Sequence, residues 1–600
     1  MGILNTVSRE YSYFKFFLQL VGRSRKFDKK KSTTVADIME EQVDKSPDSI
    51  AIEFEEKKYT YRQMDDEANQ IANWAISKGY KTGDAISLLM ENKPEYIFTW
   101  FGLAKIGVTV ACLNNNIKSK SLAHCIKKSE SKSLIISSDL MENLSSAQSY
   151  IEDDLDVYVA GKEVQGYESL SNSFNEEGKI RPDNSVRENL SNSQSLFYIY
   201  TSGTTGMPKA SNFSHQKFLV GCGLQMFSLQ MKPTDKTYMV LPLYHATGGV
   251  VGIGSTFCTG GTVVLRKKFS VEKFWEDCVK YEVTVITYIG ELFRYLVAGK
   301  ENEYEKKHKI RGIYGNGLRP EVWKVVQERF GINKIIEFYG SSEGNVSLTN
   351  VDSEFGSIGR IPPYLKGILP TKIVKFDVEN EVVIRNEEGF CIECENDEAG
   401  EAIGFIPNDD KFTGKFEGYT DKEATKKKIL EDVFEKGDRW FSTGDLLKKD
   451  KQGYFYFVDR IGDTFRWKSE NVSTNEVGEI LNGFKDVNMS NVYGVKIPGC
   501  EGRAGMAAFS LDDAEQFDWQ AFSNYVETSL PKYARPLFIR IIQEMDTTGT
   551  FKLKKNDLRS EAFDIDKVSD MIFCMKPNSS NYEVLDSDWL QTINSEQAGY

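Results

Sequence analysis

Tyr200-Thr201-Ser202-Gly203-Thr204-Thr205-Gly206-Met207-Pro208-Lys209 is the stretch from which the rest of this chain can be read. An apolar run over 195–200 reads as a buried strand, and it ends in a burst of small hydroxyl residues and glycines closed by a lysine. Glycine lets backbone N–H groups approach an anion, the hydroxyls add donors, and Lys209 adds a point charge. A polyphosphate needs that combination. The stretch is not GxxxxGK[ST], because Lys209 follows Pro208 and no Ser or Thr comes next. A flexible Ser/Gly linker fits poorly with the apolar strand before it.

Outward from this loop, helical and strand patterns alternate. Residues 34–46, 61–78 and 94–106 read as helices. Short apolar runs at 85–90, 133–136, 238–241, 262–265 and 283–288 read as buried strands. This alternation predicts an α/β fold of layered, largely parallel sheets. Residues 171–194 are polar and read as a surface loop. After about residue 370 short alternating strands take over, as at 372–377, 381–384 and 453–458, and a smaller α+β unit closes the chain. The expected spans are an N-terminal segment 1–32, a large α/β domain 33–459 that includes a small β-rich subdomain, a mobile C-terminal domain 460–575, and a peripheral tail 576–600.

The chain has 600 residues and a formal net charge of −13. That balance argues against nucleic acid as a partner, since phosphate backbones want an electropositive face. Nine scattered cysteines do not make a disulfide scaffold. Cys391 and Cys394 form a CxxC with no second pair, which reads as two ordinary thiols rather than a zinc site. No apolar run is long enough to span a bilayer. Leu4, Val7, Tyr11, Phe14, Leu18 and Val21 recur at helical spacing, with Phe17 beside them, so 5–22 reads as an amphipathic helix. Arg23, Arg25, Lys26, Lys29, Lys30 and Lys31 follow. Together, residues 1–31 suit an anionic membrane surface, which would make the protein cytoplasmic and peripheral on a membrane. The alternative is a helix packed on the protein's own surface.

The ten-residue loop resembles the phosphate loop of the adenylate-forming superfamily, which includes acyl-CoA synthetases, luciferases and peptide-synthetase adenylation domains. Further motifs resemble that superfamily's in order. In Tyr339-Gly340-Ser341-Ser342-Glu343, the resemblance puts Tyr339 against adenine and gives Glu343 a share of Mg²⁺, with Thr201 as a second contact; a hard cation bridging phosphates suits a carboxylate. In Phe441-Ser442-Thr443-Gly444-Asp445, Asp445 would accept from the ribose hydroxyls. Arg460 matches a nucleotide contact at the domain junction. Lys552 matches the late catalytic lysine, a cation between the attacking carboxylate and the α-phosphate. The neighbouring Lys554 and Lys555 compete for that assignment. Lys209, Glu343 and Lys552 are thus the expected catalytic residues.

EFYGSSEGN (337–345), GNGLR (315–319), DRIGDTFRWKSENV (459–472) and TGTFK (548–552) resemble the fatty-acid transport protein / very-long-chain acyl-CoA synthetase group. The resemblance spans about 33–565, adds Gly315 and Asn316 to the nucleotide site, and implies a long-chain fatty acid, ATP, Mg²⁺ and coenzyme A. His245, in LPLYH (241–245), matches a segment lining the acyl site, although a lone histidine is more often structural. Relatives usually carry Gly at Ser469, which borders the coenzyme A route, and Gly before the catalytic lysine, where this chain has Phe551. Gly462 and Asp463 take the hinge position, and glycine suits a hinge.

The implied activity is AMP-forming fatty acid–CoA ligation. Two alternatives remain: a lipid-uptake or lipid-binding protein on the same fold, or a CoA ligase for a bile or aryl acid. GSSEG (340–344) also fits the hydrolase GxSxG, but His124, His215, His245 and His308 all precede Ser342, so that reading fails on residue order.

Overall fold

The computed structural model describes the chain apart from residues 1–2, 30, 152–153, 202–206, 370, 408–415, 469, 512, 544, 546–553 and 578. Two compact units emerge: Met1–Leu318 with Val322–Arg360 and Ile406–Ile429, and Arg319–Glu321 with Ile361–Phe405 and Leu430–Tyr600. The expected spans cut the chain differently, because 361–405 and 430–459 group with the C-terminal residues.

The first unit carries two sheets. One is ordered Glu168–Ser169, Asp156–Ala160, Ser133–Ser137, Ala85–Leu89, Thr109–Cys112, Ser195–Thr201, Lys209–Ser214. Its central pairs are parallel, and all of Ser133–Ser137 is buried. A strand covered on both faces must be apolar throughout, which is why the alternation was legible as unbroken apolar runs. The last pair is antiparallel, with Thr201 opposite Lys209. The phosphate-loop residues therefore connect two neighbouring strands.

The other sheet is ordered Ser347–Thr349, Ile335–Gly340, Gly312–Asn316, Val285–Ile289, Lys236–Met239, Thr262–Leu265, Ile50–Phe54, Lys57–Thr60. The strand expected at 238–241 starts two residues earlier, since Lys236 and Thr237 pair with Thr262 and Val263. Helices begin where the sequence supplies a cap: Thr34 with Asp37 and Thr60 with Gln63 form reciprocal capping boxes, and Pro94 opens Pro94–Lys105.

The N-terminal helix runs Ile3–Lys29, longer than the expected 5–22. Its apolar residues occupy two faces. Tyr13, Phe16, Phe17 and Phe27 are buried against the first unit, and the Tyr13 hydroxyl donates to the Arg360 carbonyl at 2.6 Å. Val7, Tyr11, Phe14 and Leu18, the stripe read from the sequence, are 60%, 68%, 46% and 51% exposed. So the stripe does not hold the helix on the protein; aromatic residues out of phase with it do. Arg23 also turns inward, its Nε donating to the Leu219 carbonyl at 2.5 Å. Arg25, Lys26 and Lys31 stay exposed.

In the second unit, Thr371–Val374, Gly400–Phe405, Arg439–Lys449 and Tyr454–Arg460 pair antiparallel in that order. A five-stranded sheet follows: Val487–Val495, Ala504–Leu511, Phe538–Ile541, Ile572–Met575, Tyr582–Val584. The segment expected to be a peripheral tail is part of this unit's core. It supplies the last strand and the helix Ser587–Asn594, with Tyr582, Leu585, Leu590 and Ile593 buried.

Candidate active site

In the first unit, three residues singled out from two motifs meet at one side chain the sequence did not flag, Tyr419. Its hydroxyl donates to Glu343 Oε1 at 3.0 Å. The Thr201 hydroxyl lies near enough to act on the same phenol. Lys209 Nζ lies 5.5 Å from the centre of its ring, within cation–π range. Burial first, then the Glu343 charge, pushes the phenol well above its usual value. It therefore stays protonated and donates to the carboxylate.

The chain holds Tyr419 there by extending the hairpin. Residues 418–420 run beside Lys209–Ser214: Asn212 N–H donates to the Gly418 carbonyl at 3.1 Å and Thr420 N–H to the Ala210 carbonyl at 2.9 Å. Gly418 sits at φ +63, in the left-handed region that glycine enters without strain. Glu417 accepts from Ser214 N–H at 2.9 Å and Oγ at 2.5 Å.

Glu343 is buried, and a second cation fixes the turn that carries it. Lys217 Nζ donates to the Ser342 carbonyl at 2.6 Å and the Gly344 carbonyl at 3.0 Å. Burial lowers the Lys217 ammonium, against the pull of Glu417 and Glu343. Ser341 Oγ accepts from Gly344 N–H at 3.1 Å. Gly340 ends the strand that contains Tyr339, which is half-buried.

Glu337, two residues before Tyr339, organises the neighbouring loop. Its carboxyl accepts from Gly317 N–H at 2.8 Å, Leu318 N–H at 3.1 Å and the Tyr288 hydroxyl. Burial pushes it up to about 8. Gly315 packs so tightly that an added Cβ would come within 2.2 Å of the Tyr288 carbonyl oxygen. Beside it, Asn316 Oδ1 is buried with no hydrogen-bond partner among the described residues. A buried orphan acceptor is costly unless a ligand donor satisfies it, and the exocyclic amine of adenine is such a donor.

Two expected residues play other parts. The Tyr200 side chain is buried in the core, and its hydroxyl donates to the Cys125 carbonyl at 2.5 Å; it anchors the strand rather than facing a nucleotide. His245 is half-buried and packs on Tyr244 with ring centres 4.5 Å apart. It opens the wide-turned helix Ala246–Gly252 and borders a cavity of about 10 Å³ lined by Tyr96, Trp100, Cys112, Phe197 and Tyr244 among others. Such a space holds one water, not an acyl chain.

In the second unit, Asp445 and Arg460 face each other across paired strands, Arg460 Nε 3.8 Å from Asp445 Oδ1. Buried Glu401, also missed from sequence, fixes this turn by accepting from Ser442 Oγ at 2.5 Å and Gly444 N–H at 3.1 Å. Gly462 adopts φ +85 with open space around it. Asp463 pairs with Lys555 at 3.3 Å and Arg559 at 2.7 Å. Burial raises Asp463, but the two cations outweigh it and hold it below the usual carboxylate range. Lys555 also donates to Thr474 Oγ1 at 2.7 Å, so it is committed to the unit's own packing. Lys554 is exposed. Ser202, Gly203, Thr204, Thr205, Gly206, Ser469 and Lys552 lie outside the described residues.

These geometries can be set beside known proteins. Residues 39–390 match the family described as AMP-binding enzyme. Mouse long-chain fatty acid transport protein 6 is 39% identical over 94% of this chain and 91% of its own length. Human long-chain fatty acid transport protein 1 is 38% identical, over 87% of this chain and 81% of its own. Among solved structures, an anthranilate CoA ligase in complex with anthranoyl-AMP superposes with a TM-score of 0.73 at 20% identity, covering 89% of this chain and 98% of that one. ATP-bound MatB from Rhodopseudomonas palustris gives 0.73 at 20%, covering 89% and 100%. These structures share the fold.

Proposed function

The chain belongs to the AMP-binding enzyme family, and from that premise we propose that it is an AMP-forming long-chain fatty acid–CoA ligase. One observation carries the reading: Thr201 and Lys209 from one motif and Glu343 from another, distant one converge on Tyr419. A carboxylate beside two hydroxyls and an ammonium suits the magnesium salt of a polyphosphate.

Glu343 and Thr201 would hold Mg²⁺, which supplies neutralisation of charge on the phosphate oxygens when bound. Lys209 adds a cation at the hairpin, and Lys217 keeps the Glu343 turn in place. Asn316 offers its orphan acceptor to the base. Asp445 is assigned to the ribose and Arg460 to the phosphate side. The fatty carboxylate attacks the α-phosphorus, the bond to pyrophosphate breaks, and Lys552 stabilises the charge that develops. The thiol of coenzyme A then attacks the acyl carbonyl, gives up its proton, and displaces AMP. The small domain turns at Gly462 and Asp463 between the two steps, withdrawing Lys552 and opening the Ser469 side to the thiol.

The test is fatty-acid-dependent pyrophosphate release, with and without coenzyme A, across acids of graded chain length and against bile and aryl acids. Release with long acids only, and acyl-CoA formed only when thiol is added, is expected. Binding of fatty acid without any release would favour a lipid carrier. Release with a bile or aryl acid alone would move the substrate class.

The exposed stripe on the N-terminal helix favours one addition. Val7, Tyr11, Phe14 and Leu18 lie open beside exposed Lys15, Arg25 and Lys26. Among the described residues no helix is long and apolar enough to cross a bilayer. The protein would therefore lie on an anionic, cytoplasm-facing membrane, with this helix in the interface plane. Replacing Tyr11, Phe14 and Leu18 by Ser should release it from phosphatidylserine vesicles while pyrophosphate release in detergent persists. Unchanged vesicle binding would sink the idea.

A further inference from the structure

Outside the proposed site, three side chains from three helices meet in the first unit. Cys222 lies on His215–Ser228 and is fully buried, while Cys258 lies on the short helix Ile253–Thr259 and is partly exposed. The two helices pack so closely at this point that a Cβ on Gly254, one turn before Cys258, would sit 2.4 Å from Cys222 Sγ. Cys258 follows Gly254 by one turn on the same helix face, and the two thiols lie near enough to act on each other. Arg23 reaches in from Ile3–Lys29, its Cδ against Gly223. Its Nε is spent on Leu219, while Nη2 is buried without a hydrogen-bond partner among the described residues. The field of that guanidinium falls on Cys258.

A thiol beside a cation and a second thiol is chemically unlike the other cysteines of this chain. The neighbouring Cys222 side chain lowers the Cys258 thiol, with Arg23 helping against burial. Burial, with Cys258 beside it, raises Cys222. Cys391 and Cys394 are both raised, mainly by burial.

We propose that Cys258 and Cys222 form a peroxide-reactive dithiol, Cys258 as nucleophile and Cys222 as resolving thiol, whose product is a disulfide joining the two helices. The Cys258 thiolate attacks one oxygen of hydrogen peroxide. An S–O bond forms, the O–O bond breaks, and the departing hydroxide takes up a proton as water. Cys222 sulfur then attacks the Cys258 sulfenic acid. The S–S bond forms, the S–O bond breaks, and a second water leaves with the Cys222 proton. Two thiols are oxidised and one peroxide is reduced to two waters.

The bond would also disturb the neighbourhood of the proposed site. Cys222 now donates to the Val250 carbonyl at 3.5 Å, and Val250 lines the same small cavity as His245.

The test is native treatment of the full chain with hydrogen peroxide, alkylation of remaining thiols, and peptide mapping by mass. A linked peptide pair joining Cys222 to Cys258, reversed by dithiothreitol, is expected. Cys258 should react about tenfold faster than Cys391 or Cys394, as a cation-assisted thiol does. Arg23→Gln should slow it severalfold in the native chain and leave the rate in denaturant unchanged. In Cys222→Ser, Cys258 should stop at the sulfenic acid, trapped by dimedone. Recovery of both residues as free thiols after the others have oxidised, or a disulfide to any other cysteine, would overturn the proposal. So would equal native rates for Cys258 and Cys391.

Discussion

Two clusters of charge in the first unit use the same side chains to opposite ends. In the core, Lys105 is fully buried, with Nζ 2.6 Å from Glu40 and 2.7 Å from Asp65. Arg187 bonds Glu40 and Asp37, and Arg181 bonds Asp44 and Asp65. Every cation there has at least two oxygen partners. At the Tyr419 corner, Lys209 is exposed and rests on an aromatic face, with no carboxylate in ion-pair range among the described residues. Glu343 has a phenol as its hydrogen-bond donor. A saturated charge is committed to the fold. A charge with spare coordination can still meet a polyphosphate and its metal.

The contrast can be broken from either side. Lys105→Met leaves Glu40 and Asp65 buried without their shared cation, which should cost about 3–5 kcal/mol of stability in denaturant unfolding. A loss below about 1 kcal/mol would mean the cluster does not hold the fold. Glu343→Gln should do the reverse. Pyrophosphate release should fall about 10²–10³-fold, the scale of removing one preorganised electrostatic contact, while the unfolding midpoint stays near wild type. A stability loss as large as that of Lys105→Met would put Glu343 with the core charges.

Much of one cluster was legible in the sequence and little of the other. The hairpin from Thr201 to Lys209 and the turn at 340–343 announce themselves because each is a contiguous run of glycines and hydroxyls whose chemistry is local. The sheets were legible for the same reason, since a strand buried on both faces is apolar from end to end. Tyr419, Lys217 and Glu401 were not legible. Their work is tertiary: Tyr419 meets a residue 76 positions away and Lys217 one 125 positions away, and nothing beside them in the chain marks them out. The N-terminal helix failed differently. Its stripe was found, but Tyr13, Phe16 and Phe27 fall out of phase with it, and the packed face was missed. The C-terminal segment hid because its strand Tyr582–Val584 has three residues and its helix Ser587–Asn594 eight, too short for a period to show.

Glu337 tests whether a buried carboxyl can belong to both classes, since it is enclosed like the core charges yet holds the loop at Asn316. Its folded-state value, about 8, lies above the usual 4.5. The folded chain then holds this proton more tightly than the unfolded chain. Its contribution is complete below pH 4.5 and is lost as pH rises toward 8. Glu337→Gln should flatten the decline in stability across that window, and ATP should bind the variant more weakly because the amide turns one of the two oxygens that accept from the loop into a donor. An unaltered pH–stability slope would show that the carboxyl is ionised in the folded chain throughout.

Tyr419→Phe gives the smallest effect and the finest discrimination. The ring stays, so Lys209 keeps its aromatic face 5.5 Å away. Only the hydroxyl goes, and with it the hydrogen bond to Glu343. One hydrogen bond to a charged acceptor is worth about 1.5 kcal/mol at the low end, so adenylate formation should slow about tenfold. The informative axis is magnesium. If the phenol orients Glu343 for a cation, the variant should need more Mg²⁺ for half-maximal rate, while the fatty acid concentration needed stays as it was. If Tyr419 only cements the 418–420 strand to its neighbour, both dependences should stay put and the unfolding midpoint should drop instead. Tyr419→Ala, which also strips the face from Lys209, would then lose activity in step with stability, and the corner would have to be reassigned to the fold.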